Sequence, residues 1–160
     1  MRWPAVRGKY GFMRTQSLAV LDALKSLYEA EANSLLQFVG VDSPYLDGAS
    51  EDMRATFRQM VAHLASDQQE VARMIGQLGD TPAIPPPLGA EERYIPYLSL
   101  KFLLPKLREA KEMMVRRYEN ALRFVDGEPE VIEMLERHLA QMRVDLVVLK
   151  RIVPEGGIRK

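Results

Sequence analysis

Apolar residues recur at three- and four-residue steps in four separate stretches of the chain, and proline or glycine closes each stretch. This spacing places the apolar side chains on one face of an α-helix. Four amphipathic helices of about 25 residues bury those faces best against one another. The sequence therefore predicts an all-α four-helix bundle, with helices over residues 15–39, 50–78, 107–125 and 130–153.

The links between the predicted helices constrain the topology. Residues 126–129 form a four-residue link, which is short enough to require antiparallel neighbours. The link after the second helix is proline-rich, and about 16 extended residues span roughly 50 Å, the length of a bundle. We therefore expect two helical hairpins joined by a long crossover. The alternative is an up-and-down four-helix bundle in which residues 79–96 form a long irregular loop.

The 160 residues fit one domain, which we place at residues 15–153. Residues 1–14 precede it and carry Arg2, Arg7, Lys9 and Arg14. This segment is either a basic arm or a stretch upstream of a true start at Met13. Residues 154–160 form a short tail.

The charge and residue content exclude several classes of protein. Lys plus Arg and Asp plus Glu both number 22, so no net field attracts nucleic acid. The absence of cysteine excludes disulfides and thiolate ligands and is compatible with a reducing compartment. No apolar stretch reaches the roughly 18 residues that span a bilayer, and no signal-peptide core is present. We expect a cytoplasmic protein with no transmembrane segment.

The second predicted helix ends in residues 74–82, which read MIGQLGDTP. This segment resembles the Leu-Gly-Gly-x-Pro sequence that ends the second helix in rubrerythrins and bacterioferritins. The number and lengths of helices and links over residues 15–153 are also similar to those of the ferritin-like superfamily. The resemblance implies a two-iron site, with carboxylates from all four helices and Glu-x-x-His pairs on two of them.

The ligands that the resemblance implies are largely missing. The residue three before His63 is Met60, and the residue three before His138 is Leu135, so neither histidine has its glutamate. We therefore expect the usual metal centre to be lost. The resemblance places the metal ligands of the ferritin-like family at the following positions of this sequence: Glu31 or Glu29 on helix one, Leu64 and Asp67 on helix two, a position near Lys106 on helix three, and His138 and Gln141 on helix four.

Five polar side chains fall on or beside the apolar stripes near the middle of their helices, where buried charge is costly unless it is paired. We expect them to form one polar layer across the core, in which an ion pair between Glu31 and Lys111 replaces the metal. Helix-edge residues that extend to water are the alternative. The five residues are Glu31, Asp67, Gln68, Lys111 and His138.

A metal ion is not the preferred interpretation, but the residues that would hold iron or another divalent ion are Glu31, Asp67, Glu70 and His138. His63 also shares one helix edge with Asp67 and Glu70, at spacings of four and three. This set could ligate a single ion, although a solvated edge is the preferred interpretation.

The sequence carries no Gly-x-Gly-x-x-Gly, Walker or Gly-x-Ser-x-Gly motif. We therefore expect a non-catalytic structural or interaction protein without a resident cofactor, which self-associates as a homodimer. The first alternative is a metal-dependent oxidoreductase or metal-storage protein with an atypical site. The second is a bundle that binds an apolar ligand between its helices, lined by methionines and by Tyr28 or Tyr118.

Overall fold

The computed structural model describes residues 9–38, 51–83 and 100–152. All regular structure in these ranges is helical, so the predicted all-α four-helix bundle is confirmed for this part of the chain. None of the helices found there is long and apolar enough to cross a bilayer. The elements are α1 (Lys9–Ala32), the single turn α2 (Leu35–Phe38), α3 (Glu51–Gln77), α4 (Leu100–Phe124) and α5 (Pro129–Ile152).

The four long helices pack around one interior. α1 contacts α3 and α4, and α5 also contacts α4 and α3, with the most extensive contact between α4 and α5. The short α2 lies on α3 and α4. Each long helix therefore packs on two neighbouring long helices, and its apolar residues face the interior that the four helices share.

Glycine ends α3 in the way the sequence suggests. Gly79 has a φ of +87°, which an L side chain rarely adopts. This conformation lets the Asp80 amide donate to the Ile75 carbonyl and the Gly79 amide donate to the Gly76 carbonyl, both at 3.1 Å. The pair of bonds is a Schellman motif, and it satisfies carbonyls that the helix end would otherwise leave open.

The first predicted helix differs from the structure at both ends. α1 begins at Lys9 rather than near residue 15, and it stops at Ala32. The Ser34 amide donates to the Glu31 carbonyl at 3.1 Å, which tightens the last turn, and α2 restarts one residue later. Asn33 and Ser34 compete with backbone hydrogen bonds in helices, which accounts for the break. The predicted stop at residues 40–44, the proline-rich link at 84–99, the tail at 154–160 and residues 1–8 lie outside the described ranges.

The third long helix begins earlier than residue 107. α4 starts at Leu100 and includes Pro105 in its second turn, where proline removes one backbone hydrogen bond. Leu103 and Leu107, on either side of the proline, are almost completely buried. Their burial stabilises the helical path through Pro105 and offsets the missing bond.

Two apolar clusters make up the core. The larger cluster includes Leu24, Ile75, Tyr118 and Leu135 and extends along α1, α3, α4 and α5. The smaller cluster lies on the other side of the bundle's midpoint. Its buried members are Leu36, Phe57, Met60, Leu64, Leu103, Leu107 and Leu149.

Replacement of Leu135 by alanine tests the position of the core. Leu135 has no exposed surface, so Leu135→Ala should lower the free energy of unfolding by about 2–5 kcal/mol. The matched control is Val144→Ala on the same helix, where the side chain is exposed and the change should stay within about 0.5 kcal/mol. Urea unfolding followed by circular dichroism measures both. Equal losses in the two variants would contradict this packing.

Candidate functional site

Ionisable side chains lie between the two apolar clusters and come from all four long helices. We call this set the buried polar layer. On α1, α3 and α4 the member falls between residues of one cluster and residues of the other, at the three- and four-residue spacing of the apolar stripe. On α5 this holds for Asp145, whereas His138 is flanked on both sides by residues of the larger cluster. The same periodicity that buries leucines therefore buries these groups. The members are Glu31 on α1, Asp67 on α3, Lys111 on α4, and His138 and Asp145 on α5.

Glu31 lies at one end of the layer and is completely buried. The Tyr118 hydroxyl donates a hydrogen bond to Glu31 Oε1 and lies 3.4 Å from His138 Nδ1, whereas Glu31 Oε2 has no hydrogen-bond partner. Burial raises the pKa of Glu31 from 4.5 to about 8, although the Tyr118 hydrogen bond acts in the opposite direction. The Glu31 carboxyl therefore keeps its proton at neutral pH.

His138 lies beside two acidic groups of α3. Its Nε2 is 3.4 Å from Asp67 Oδ1 and 3.4 Å from Glu70 Oε2, but neither contact has hydrogen-bond geometry. Burial lowers the pKa of the His138 imidazole, with Glu70 opposing. Arg137 binds both oxygens of Glu70, at 2.9 and 2.7 Å, and lowers the pKa of that carboxyl to about 2. The imidazole is therefore neutral at neutral pH and faces an acid that Arg137 already compensates.

Lys111 forms the other end of the layer. Its Nζ lies 3.6 Å from Asp145 Oδ2, and the same oxygen is 3.4 Å from His63 Nδ1. Gln141 Nε2 donates to the second oxygen, Asp145 Oδ1, at 3.2 Å. Burial lowers the pKa of the Lys111 amine, while Asp145 and Asp67 oppose that shift. Asp145 is thus the shared partner of an amine, an imidazole and an amide.

Asp67 lies between the two ends. Burial raises its pKa from 3.8 to about 6, and the Coulombic attraction of Lys111 opposes the shift. The Asp67 carboxylate is therefore mostly ionised at neutral pH. Asp67 is coupled electrostatically to both ends of the layer, because Lys111 lowers its pKa and Glu70 raises it.

A small pocket adjoins the Lys111 end of the layer. It offers about 20 Å³ to the centre of a water molecule, which is room for one or two waters. The polar part of its lining consists of Lys111, Asp145, His63, Asp67 and Ser34. The apolar lining consists of Leu36, Met60, Leu64, Leu107, Ala110, Met114, Met142 and Leu149.

Four of the five predicted layer residues are brought together in the interior. Gln68 is placed differently: it is half-buried and accepts a hydrogen bond from Gln37 Nε2 at 3.0 Å on the exposed side of α3. The predicted ion pair between Glu31 and Lys111 is wrong, because the direct partner of Glu31 is Tyr118 and that of Lys111 is Asp145.

Asp145 is the central residue that the sequence analysis missed. It lies seven residues after His138, and the steps from His138 through Met142 and Asp145 to Leu149 are four, three and four. This spacing is the signal that could have identified it. Tyr118 was named from the sequence only as a residue that could line a site for an apolar ligand, although its hydroxyl reaches Glu31.

The two-iron site that the resemblance implies does not fit these side chains. Both oxygens of Glu70 bind Arg137, and one oxygen of Glu31 accepts from Tyr118. On α4, the third long helix, the residue that reaches the layer is Lys111, which supplies an amine where a carboxylate ligand would be needed. A cationic donor cannot ligate a metal ion, so the set lacks a required ligand.

The single-ion set on the edge of α3 is also divided. His63 faces Asp145, whereas Asp67 and Glu70 face His138. Within residues 9–38, 51–83 and 100–152, no three His, Asp or Glu side chains are arranged to hold a metal ion.

The chain matches no protein-family model, no curated protein and no solved structure. The features on which a function can rest are therefore the chain's own helices and the buried polar layer. That layer combines a protonated carboxyl, a neutral imidazole and an amine beside two carboxylates.

Glu31→Gln tests the protonated state of the buried carboxyl. Between pH 4.5 and about 8 the folded protein retains the Glu31 proton that the unfolded chain loses. Wild type should therefore lose stability relative to Glu31→Gln as pH rises through this window, by up to about 1.4 kcal/mol per pH unit. Denaturant unfolding at several pH values measures the difference. Glu133→Gln, on the exposed side of α5, is the control for loss of a carboxylate. If the plots of unfolding free energy against pH are parallel for wild type and Glu31→Gln, the protonated state assigned to Glu31 is wrong.

Proposed function

We propose that the chain is a ferritin-like bundle that works as a structural or interaction protein. In this proposal an amine of the chain takes the place that metal ions occupy in metal-binding proteins of the ferritin-like architecture. The observation that carries the proposal is the position of Lys111. Its Nζ lies inside the bundle, 3.6 Å from Asp145 and within electrostatic reach of Asp67. An ammonium there balances buried carboxylates without a metal ion.

The pairing of residues across the bundle supports the ferritin-like topology. In three of the helix contacts, facing residues rise in number along one partner as they fall along the other, as they do in antiparallel neighbours. α3 and α4 would then run in the same direction, so that a link between them travels the length of the bundle as a crossover. The supporting pairs are Lys25 with Asp80, Gln37 with Gln68, Glu70 with Arg137, His63 with Asp145, Lys111 with Asp145, and Glu119 with Arg143.

A metal-binding oxidoreductase or storage protein with an atypical site is the second candidate. Its support is a pair of buried atoms that make no hydrogen bond, Glu31 Oε2 and His138 Nε2. Such atoms are the usual places to look for a missing ligand. Asp67 and Glu70 would complete that set of ligands. The contacts of Lys111 and Arg137 favour the metal-free proposal.

Self-association is part of the proposal, because an interaction protein needs an accessible surface. Two adjoining grooves between α1 and α4 share Ser26 and Arg117. Met113 lines one groove and Phe124 the other, and these side chains are 54% and 70% exposed. Exposed apolar side chains beside a groove are typical of interaction surfaces. We propose a homodimer that uses this face.

Metal analysis separates the two candidates. We expect the purified protein to hold no stoichiometric iron, manganese or zinc after anaerobic reconstitution. Lys111→Ala should gain affinity for a divalent ion, because it leaves Asp67, Asp145 and His63 without the competing amine. Lys150→Ala on the surface of α5 is the control and should gain none. Stoichiometric metal in wild type that disappears in Glu31→Ala or His138→Ala would establish the second candidate instead.

The oligomeric state tests the interaction surface. Light scattering should give a dimer mass for wild type and a monomer mass for Phe124→Glu, because a charge in the centre of an apolar contact is left unpaired on association. Val144→Glu places the same charge on an exposed position of α5 that does not line the grooves and should leave the dimer intact. A monomeric wild type, or equal effects of both variants, would contradict this surface.

A further inference from the structure

We propose that two copies of the chain pair antiparallel through α4, about a two-fold axis that crosses this helix between Arg117 and Asn120. Phe124 of each copy then lies in a groove of the other copy. This pairing rests on the homodimer proposed above, and it specifies the orientation of the partner and the residue that fills each groove. The spacing of the exposed side chains on α4 and the grooves beside them carry the proposal.

The exposed side of α4 forms a narrow ridge next to α1. Four exposed side chains of this ridge line the two grooves between the helices: Met113, Arg117, Asn120 and Phe124. The steps between them are four, three and four residues, so at about 100° per residue they fall within an arc of about 60°. A ridge of this kind packs as a unit into the groove of another helical surface.

The spacing of the ridge is the same in both directions along α4. Met113 and Phe124 are equally far from its midpoint, and so are Arg117 and Asn120. A two-fold axis at the midpoint therefore places Phe124 opposite the partner's Met113. It also places Arg117 opposite the partner's Asn120. An isologous interface requires this self-complementarity, because the same surface patch serves on both copies.

The grooves between α1 and α4 have room for the ridge of a second copy. Their volumes are about 400 and 250 Å³, and both are lined by Ser26 and Arg117. The larger groove lies beside Met113, and the small side chain of Ala30 lines it from α1. In the antiparallel arrangement the partner's Phe124 enters this larger groove. There its ring meets the Met113 thioether, which is a favourable contact for an aromatic side chain.

The charges on this face also suit a second copy in that orientation. Glu29 and Arg117 are the charged side chains among the groove-lining residues, so the face carries both signs. The whole chain has 22 basic and 22 acidic residues, and two copies therefore do not repel each other. A parallel pairing would set Arg117 against the partner's Arg117, and like charges in contact are costly. The antiparallel pairing sets it against an amide.

The face has the size of a stable interface. α1 and α4 contain 24 and 25 residues. Side by side, helices of this length offer a face about 36 Å long and about 20 Å wide, or roughly 700 Å². A standard interface buries about 800 Å² on each partner. Pairing would also bury Met113 and Phe124, which are 54% and 70% exposed in the single chain.

Disulfide mapping in solution tests the orientation. The chain contains no cysteine, so each introduced thiol is unique. Arg117→Cys and Asn120→Cys are mixed in equal amounts, left to exchange under reducing conditions, oxidised mildly and digested. The link between positions 117 and 120 should exceed either like link by about tenfold, because a disulfide needs Cα atoms within about 7 Å. Val144→Cys, exposed on α5, is the control and should give no link.

The outcomes separate the orientation from the homodimer itself. A dimer mass for wild type combined with like links, with a link at position 144 or with no link would overturn the antiparallel pairing and leave the homodimer standing. A monomer mass for wild type in light scattering would overturn both.

A bulky side chain in the grooves tests the place of Phe124. Ser26 is exposed and lines both grooves. Ser26→Trp should therefore raise the dissociation constant of the dimer by about tenfold or more, because the ring occupies space that the partner's ridge needs. Ala140→Trp, exposed on α5, is the matched control and should leave the constant unchanged. Analytical ultracentrifugation measures both.

Circular dichroism establishes that both tryptophan variants are folded, and the disulfide map decides alone if Ser26→Trp is not. A folded Ser26→Trp that dimerises as tightly as wild type would overturn the placement of the ridge in the grooves.

Discussion

The contact between Lys111 and Asp145 balances charge that the helices bring into the core, and the alignment of α4 and α5 depends on it. A slip of one helical turn moves facing residues about 5.4 Å apart, which would leave the amine and the carboxylate buried without each other. An apolar seam alone tolerates such a slip, because leucine can pack on leucine at either alignment. The polar contact therefore adds specificity that the apolar clusters lack.

The long periodic helices could be predicted from the sequence, and α3 and α5 lie within one or two residues of the predicted ranges. Their ends are marked by local signals, such as the first-turn acids of α3 and Gly79 after it. The break at Asn33 was not predicted, and the third helix was expected from residue 107, whereas α4 begins at Leu100 and passes through Pro105. The break follows the local preference of Asn33 and Ser34 for hydrogen bonds outside a helix. The path of α4 through Pro105 depends on tertiary packing, because burial of Leu103 and Leu107 overrules the local preference of proline.

Periodicity identified most members of the buried polar layer but not their partners. It places Glu31, Lys111 and His138 on the inner faces of their helices, because that depends only on position within one helix. Which groups meet depends on how far each helix is shifted and turned against the next. For that reason Glu31 was assigned to the wrong partner, and the hydroxyl of Tyr118 was overlooked. The central Asp145 was missed although its spacing was visible.

The division of the apolar core by ionisable groups has a consequence for how the bundle opens. The cluster around Leu36 and Phe57 is smaller than the cluster around Leu24 and Leu135, so less free energy holds it closed. Native proteins open in cooperative units, and we expect the boundary between two such units to fall at the polar layer. We therefore expect amide hydrogens near Phe57 and Leu103 to exchange through partial opening, and those near Leu135 to exchange only through global unfolding. The end of the bundle with the smaller cluster is its less protected half, and the lysine pocket lies at the junction.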